Sequence, residues 1–232
     1  MIASRAWPVH AYLALVITSG FAALAVAVAQ WHSGDPARFA VYLMLACFAG
    51  ALKVRLPGMT GTYSLTFLFV LLGVADLTFA ETVVIAGVSM IVQCVWGAAI
   101  RPSPVQVLFN AAATSVAATT AYLGPRWAGF KSLAVELPLA AAVYFLVNTL
   151  LVSGILAQVE QRAFRSVWRD WFRWSLTYYL AGVAVSAIVI LSSRHFGWQF
   201  SLLLLPLMYL EYLCFRLKVD TERDTGPVTP SA

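Results

Sequence analysis

Charged side chains are scarce in this sequence. Asp, Glu, Lys and Arg make up 11% of its 232 residues, whereas 61% are hydrophobic and the mean hydropathy is +0.82. Soluble globular domains carry about 25% charged residues, so the composition excludes that class and predicts a polytopic membrane protein. The net charge of +5 lies mostly between apolar runs, where its natural partner is an anionic membrane leaflet and not nucleic acid.

Motifs for catalysis and cofactor binding are also absent. The chain has no nucleophile elbow, phosphate loop, dinucleotide fingerprint or HExxH sequence. A metal site formed by His32, Asp35 and His195 is conceivable, although no spacing requires it. We therefore expect no enzymatic activity, no cofactor and no metal. Neither a disulfide framework nor a metal site is predicted by the three cysteines, which fall in three different apolar runs: Cys47, Cys94 and Cys214.

What the chain does contain is a succession of about eight apolar runs. They cover residues 11–30, 39–52, 62–77, 79–96, 104–123, 133–158, 175–193 and 199–215. The second and third are short, because a helix of 16 residues covers only about 24 Å of a bilayer core of about 30 Å. We expect these two to pack inside the bundle. The predicted fold is an all-α, polytopic membrane helix bundle over residues 1–219, followed by a disordered cytoplasmic tail at 220–232.

Helix starts are marked at two of these runs. Thr78 and Glu81 have the spacing of a capping box, in which each side chain satisfies a backbone N–H of the other residue. Ser103 and Pro104 predict the N-cap and first residue of the next helix.

The segment from Glu160 to Trp174 has a different pattern. Its apolar residues follow helical spacing, with arginines on the opposite stripe. This predicts an amphipathic helix lying in the headgroup plane, with docking of a partner protein as the alternative. The arginines expected to contact anionic lipid headgroups are Arg162, Arg165, Arg169 and Arg173.

Two basic corners interrupt the apolar runs. In the first, Pro57 is predicted to end the preceding helix, and Thr60, Thr62 or Ser64 to cap the following one. The second begins at Arg101. These corners either fix the topology only, or form a surface that binds an anionic group. The candidate residues are Lys53, Arg55, Pro57, Gly58, Thr60, Gly61, Thr62, Arg101 and Pro102.

The distribution of basic residues predicts the orientation. With eight spans, eleven of the fifteen Lys and Arg residues fall on the side of both termini and both corners. Basic residues accumulate on the cytoplasmic side of membrane proteins. We therefore expect a protein of the bacterial inner membrane with both termini in the cytoplasm.

Polar side chains inside the runs suggest a cavity. In the fifth run they recur at positions i, i+4 and i+8, and the sixth run carries a similar pair. Side chains of this kind seldom face lipid, so they either hold the bundle together or line a binding site. The candidate cavity residues are Gln93, Gln106, Asn110, Thr114, Tyr144 and Asn148.

Three stretches carry a family resemblance: KVRLPGMTGT at 53–62, RPSPVQVLFN at 101–110 and YFLVNT at 144–149. Together they resemble the N-terminal multi-pass membrane regions that precede GGDEF or HD-GYP domains in bacterial signalling proteins, over about residues 40–215. The resemblance implies a sensory or interaction module. Since the sequence stops at Ala232, we expect any catalytic output to come from a separate cytoplasmic chain or to be absent. The alternative function is a small-solute transporter component, similar in size and class to the S components of vitamin transporters, which would work with an ATPase chain.

Overall fold

The computed structural model of this chain describes residues 3–55, 62–98, 101–130, 132–206, 208–210, 212–214 and 217. The chain is an all-α membrane helix bundle. In the described ranges a 3-10 helix at Trp198–Leu203 follows the α-helices, and helical turns continue over 204–206, 208–210 and 212–214. The α-helices are α1 (Ala3–Ala29), α2 (Pro36–Ala51), α3 (Thr66–Asp76), α4 (Phe79–Val95), α5 (Pro104–Trp127), α6 (Leu133–Val159) and α7 (Phe164–Phe196).

Successive helices run in opposite directions, so their termini collect at two ends of the bundle. At one end Gln93, near the C-terminus of α4, donates to the backbone of Thr62, which precedes α3. We call this the ribbon end. At the other, the distal end, Arg126 near the end of α5 forms an ion pair of 2.8 Å with Glu136 at the start of α6. The sequence predicts such an arrangement, because most of its basic residues lie in alternate connections between the apolar runs.

Helix α3 lies at the centre of the bundle. It has only 11 residues, and every side chain from Thr66 to Val74 is buried. Helices α2, α4, α5, α6 and α7 all contact it. The ring of Phe67 lies 5.1 Å from that of Tyr144 on α6 and 4.3 Å from that of Tyr179 on α7. The prediction that the third run packs inside the bundle is therefore confirmed for α3.

The first basic corner contains a two-stranded ribbon. Strands β1 (Val54–Arg55) and β2 (Thr62–Tyr63) are antiparallel. Helix α2 has already ended at Ala51, so the prediction that Pro57 ends it is wrong. Capping by Thr62 or Ser64 is wrong as well: α3 has no side-chain cap, because Thr62 lies in the ribbon and the Ser64 hydroxyl bonds to Gln93 and Thr66. Thr60 lies outside the described residues.

Both predicted helix starts are confirmed. Thr78 and Glu81 form a reciprocal capping box at α4, where Ser33 also donates to the Glu81 carboxylate. Ser103 and Gln106 form a second one at α5, which has Pro104 in its first turn. These boxes satisfy backbone N–H groups that have no partner within the helix.

The amphipathic segment differs from the expectation of a separate helix in the membrane plane. It is the first part of α7, a continuous helix of 33 residues. No Pro or Gly occurs between Phe164 and Ala181 to interrupt it. Part of its apolar stripe also packs against protein: Val167 is buried, and the ring of Phe172 lies 5.3 Å from that of Phe145 on α6.

Three helical segments in the described residues are long and apolar enough to cross a bilayer: Pro8–Ala29, Leu133–Val159 and Tyr179–Phe196. Helices α2, α3 and α4 are shorter apolar helices. The number of eight spans stays a prediction. The predicted tail at 220–232 lies outside the described residues.

A close approach between α1 and α5 provides a test of this packing. A Cβ atom added at Gly20 would lie 2.4 Å from the Cα atom of Ala112, whereas one added at Gly124 on α5 would meet nothing within 4 Å. We expect Gly20→Ala to destabilise the protein by about 1–3 kcal/mol, because the helices must move apart. Gly124→Ala should stabilise it by about 0.5–1 kcal/mol, through the lower conformational entropy of its unfolded chain.

Thermal unfolding of the two variants in the same detergent measures the difference. Equal melting temperatures for both variants would contradict the close contact between α1 and α5.

Candidate functional site

A cavity of about 680 Å³ opens at the ribbon end. Helices α1, α4, α5, α6 and α7 contribute side chains to its wall, and so do the segments that carry the two basic corners. The volume lies within the range of about 300–1,000 Å³ that is typical of small-molecule sites. Eight of the residues selected from the sequence line this one cavity: Lys53, Thr62, Gln93, Pro102, Gln106, Asn110, Thr114 and Asn148.

Gln93 forms the densest hydrogen-bond cluster of the cavity wall. Its side-chain amide donates to the Thr62 carbonyl at 3.1 Å, and its amide oxygen accepts from Ser64 at 2.5 Å and from Thr66 at 3.4 Å. The side chain is 7% exposed. Because both ends of the amide are bonded to the segment between β2 and α3, Gln93 fixes that segment against α4. Its structural role is clear, although it also faces the cavity.

Lys53 binds the backbone at the C-terminal end of α4. Its ammonium donates to the backbone carbonyls of Gln93 at 2.5 Å and Cys94 at 3.5 Å. The last carbonyls of a helix lack partners within it and carry partial negative charge, so a lysine here stabilises the C-terminus of α4. Lys53 brings a positive charge to the cavity wall.

The two asparagines have fewer partners than Gln93. The Asn110 amide makes one weak contact, 3.5 Å to the Cys94 sulfur, and the Asn148 amide donates to the Tyr179 hydroxyl at 3.3 Å. Tyr144 is buried with its ring packed against that of Phe67, so it supports the wall without lining the cavity. The predicted stripe therefore divides into side chains that face the cavity and one that lies behind it.

The corner residues are only partly placed. Arg101 is exposed just before α5 and does not line the cavity, and Gln106 has one hydrogen-bonding role already, since its oxygen accepts from the Ser103 N–H at 2.9 Å. Arg55 belongs to β1, and its side chain is not described. Pro57, Gly58, Thr60 and Gly61 lie outside the described residues.

The cavity also has an apolar wall, which the sequence analysis did not predict. On α5 it consists of Val105, Phe109 and Ala113, which recur at i, i+4 and i+8 beside the polar stripe. The same spacing that drew attention to the polar residues would have found them. The wall also includes Val9 and Leu13 of α1, Val152, Ile155, Leu156 and Val159 of α6, and Trp171 of α7.

The arginines of α7 differ in their pairing. Arg162 forms ion pairs of 3.3 Å with Glu160 and 2.8 Å with Asp170, and the bonds to Asp170 and then Glu160 raise its pKa. Arg165 and Arg169 are exposed, whereas the side chain of Arg173 is not described. Arg165 and Arg169 are thus better placed than Arg162 to meet an anionic headgroup.

No group of three His, Cys, Asp or Glu side chains in the described ranges is arranged to hold a metal ion. His32 Nδ1 lies 3.0 Å from the Gln30 carbonyl, and His195 is exposed at the end of α7. The conceivable site formed by His32, Asp35 and His195 therefore has no support from this arrangement.

The bundle and its cavity define the class as a helical membrane protein with a partly polar, partly apolar cavity at the meeting point of its helix ends. A family model, MASE9, matches residues 12–219, and the chain belongs to this family. MASE domains are membrane-associated sensor domains. No curated protein and no solved structure matches the chain. The predicted membrane-sensor region is confirmed at this level, and the association with GGDEF or HD-GYP domains stays a prediction.

The role of Gln93 can be separated from that of its neighbours. We expect Gln93→Leu to destabilise the protein by about 1–3 kcal/mol, because it removes the hydrogen bonds that the Gln93 amide makes to the Ser64 hydroxyl and the Thr62 carbonyl. Gln158→Leu on α6 is the matched control, since the Gln158 amide donates only to the carbonyl of Gly154 in its own helix. Thermal unfolding should show a loss for the first variant and little change for the second. A Gln93→Leu protein as stable as the wild type would show that this hydrogen-bond cluster does not stabilise the fold.

Proposed function

We propose that this protein is a non-catalytic sensory module that binds a small molecule in the cavity at the ribbon end. The observation that carries the proposal is the convergence of polar side chains: those of the first basic corner and of the fourth, fifth and sixth apolar runs line one cavity. Family membership supports the sensory role. Pockets with a few placed polar groups among apolar ones are the usual form of small-molecule sites.

A ligand in this cavity would touch several helices at once. Asn110 lies on α5, Asn148 on α6 and Trp171 on α7. A ligand that binds one arrangement of these helices more tightly than another increases the population of that arrangement. The size of the shift is set by the difference between the two affinities. Because α7 is continuous from Phe164 to Phe196, displacement of its first turns would be carried along the whole helix.

The proposed location is the bacterial inner membrane, with the ribbon end and both termini on the cytoplasmic side. The support is the excess of Lys and Arg in the segments at the ribbon end. Arg165 and Arg169 would contact anionic headgroups there. In this orientation the cavity faces the compartment in which a signalling partner would act.

The proposed output partner is a separate cytoplasmic signalling chain. A small-solute transporter component remains the second candidate, and the same cavity would then hold a transported solute. Purification from native membranes under mild conditions separates the two. We expect a signalling protein to accompany the chain and no uptake activity. Recovery of an ATPase module, together with solute uptake that depends on this chain, would favour the transporter and contradict the sensory proposal.

The cavity itself is tested through its two asparagines. We expect protein purified from native membranes to release a small molecule on denaturation, detectable by mass spectrometry. Asn110→Leu or Asn148→Leu should abolish this release, because the ligand loses a hydrogen-bonding group and the cavity gains a bulky apolar one. The fold should survive, since hydrogen bonds between membrane helices contribute only about 0.6 kcal/mol on average.

The matched control is Thr120→Val, which removes a polar group from α5 away from the cavity; the Thr120 hydroxyl donates to carbonyls of its own helix. It should release the same molecule as the wild type. Undiminished release by the Asn110→Leu/Asn148→Leu double variant would show that the asparagines only hold the bundle together.

A further inference from the structure

We infer that the cavity at the ribbon end takes an amphipathic organic anion, with the charged group beside Lys53 and the apolar part against α1 and α6. This inference rests on the proposed function, because it names the chemical class of the ligand for the same site. It depends on two properties of the cavity wall: the separation of polar from apolar side chains, and the sign of the charge.

On α5 the polar and apolar residues that line the cavity lie on different sides of the helix. Helix α5 presents two parallel stripes, Gln106 with Asn110 and Thr114, and Val105 with Phe109 and Ala113. Neighbouring positions on a helix point about 100° apart, so the stripes face different neighbours.

Contacts show what those neighbours are. Asn110 reaches towards α4, where its amide contacts Cys94. Phe109 and Ala113 form an apolar cluster with Val16 of α1, against which Leu13 and Ile155 pack. The polar stripe of α5 is therefore turned towards α4, and its apolar stripe towards α1 and α6.

The charge on the wall is positive. Lys53 lines the cavity, and no Asp or Glu is among the described residues that do so. The ammonium offsets the partial negative charge of the α4 C-terminus, to which it donates. Helix α5 begins at the same cavity and adds the partial positive charge of its N-terminus, with Arg101 exposed just outside. A cationic ligand would find no carboxylate partner here, whereas an anionic one would find a cation and amide donors.

Two sources could supply this chemistry. A soluble amphiphile with a carboxylate would enter from the aqueous side, and an anionic phospholipid would enter from the bilayer. Both place an anionic group beside Lys53 and an acyl chain against the apolar wall. The experiment below separates them.

Cys94 is a natural reporter because its side chain lies in the cavity wall. With Cys47→Ser and Cys214→Ser removing the other thiols, the labelling rate of Cys94 by a small neutral thiosulfonate measures occupancy. The protein is held in nanodiscs of phosphatidylcholine. The probes are decanoate, decyltrimethylammonium and decanol, which share a chain of ten carbons and differ in charge.

We expect decanoate to slow the labelling of Cys94 at about tenfold lower concentration than either other probe, the factor associated with a charge-assisted hydrogen bond. Protection in nanodiscs containing phosphatidylglycerol, without decanoate, would identify the lipid as the source. Protection by decanoate alone would identify a soluble amphiphile. Either result supports an anionic ligand.

Substitutions test the roles of the Lys53 charge and of the apolar wall in binding. Lys53→Gln should abolish the preference for decanoate over decanol, and Lys53→Arg should retain it, which guards against a simple folding defect. Arg194→Gln changes an exposed arginine in the last turn of α7 that does not line the cavity, and it should behave as the wild type. Val152→Phe should weaken protection by decanoate, because the larger side chain fills part of the apolar wall.

Equal protection by all three probes, stronger protection by the cation, or an unchanged preference in Lys53→Gln would overturn the inference. Failure of this inference does not by itself contradict the proposed function. If Cys94 reacts and the native ligand released on denaturation is cationic or neutral, the sensory proposal stands and only the ligand class is wrong. If Cys94 does not react in the unliganded protein, the cavity is closed and both fail.

Discussion

Backbone groups at the two ends of α3 must find hydrogen-bond partners in a protein interior that excludes water, and the rest of the bundle depends on this constraint. At the ribbon end Gln93 bonds to the Thr62 carbonyl at 3.1 Å, just before α3, and to the hydroxyl of Thr66, the first residue of α3. At the distal end Arg126 donates to the Val74 carbonyl at 2.7 Å and Tyr122 to the Leu77 carbonyl at 3.3 Å. Unsatisfied backbone groups in hydrocarbon cost several kcal/mol each, so a short buried helix is stable only with such partners.

The short central helix also explains why a cavity exists where it does. Helix α3 has 11 residues, whereas α6 beside it has 27. At 1.5 Å per residue α3 covers about 16 Å, much less than the longer helices that surround it. The remaining depth at the ribbon end is only partly occupied by β1 and β2. Space is left there between the ends of α1, α4, α5 and α6, and the side chains that face it are the ones available to a ligand.

Local signals predicted the fold well, and contacts between distant segments were harder to foresee. The capping pairs at Thr78 and Ser103 depend on residues three positions apart, which the sequence displays directly. Polar side chains within apolar runs also marked Gln93 and Asn110 as candidates, and both line the cavity. By contrast, the ribbon depends on Gln93 bonding to Thr62, 31 residues away, and nothing in the local pattern reveals such a pair. The amphipathic pattern containing Trp171 could equally face lipid or protein, because both environments accept an apolar stripe.

The burial of α3 has a consequence for how the protein is made. Pro8–Ala29 and Leu133–Val159 are each long and apolar enough to enter a bilayer as they leave the translocation machinery, whereas α3 is enclosed by helices that precede and follow it in the chain. Since α6 and α7 are synthesised after α3, two of the five helices that contact the central helix are missing when it is made. The packing around α3 is therefore complete only once α6 and α7 have been made. A ribosome that stalls before α6 leaves Phe67 without its neighbours, and quality control has that exposed core to recognise.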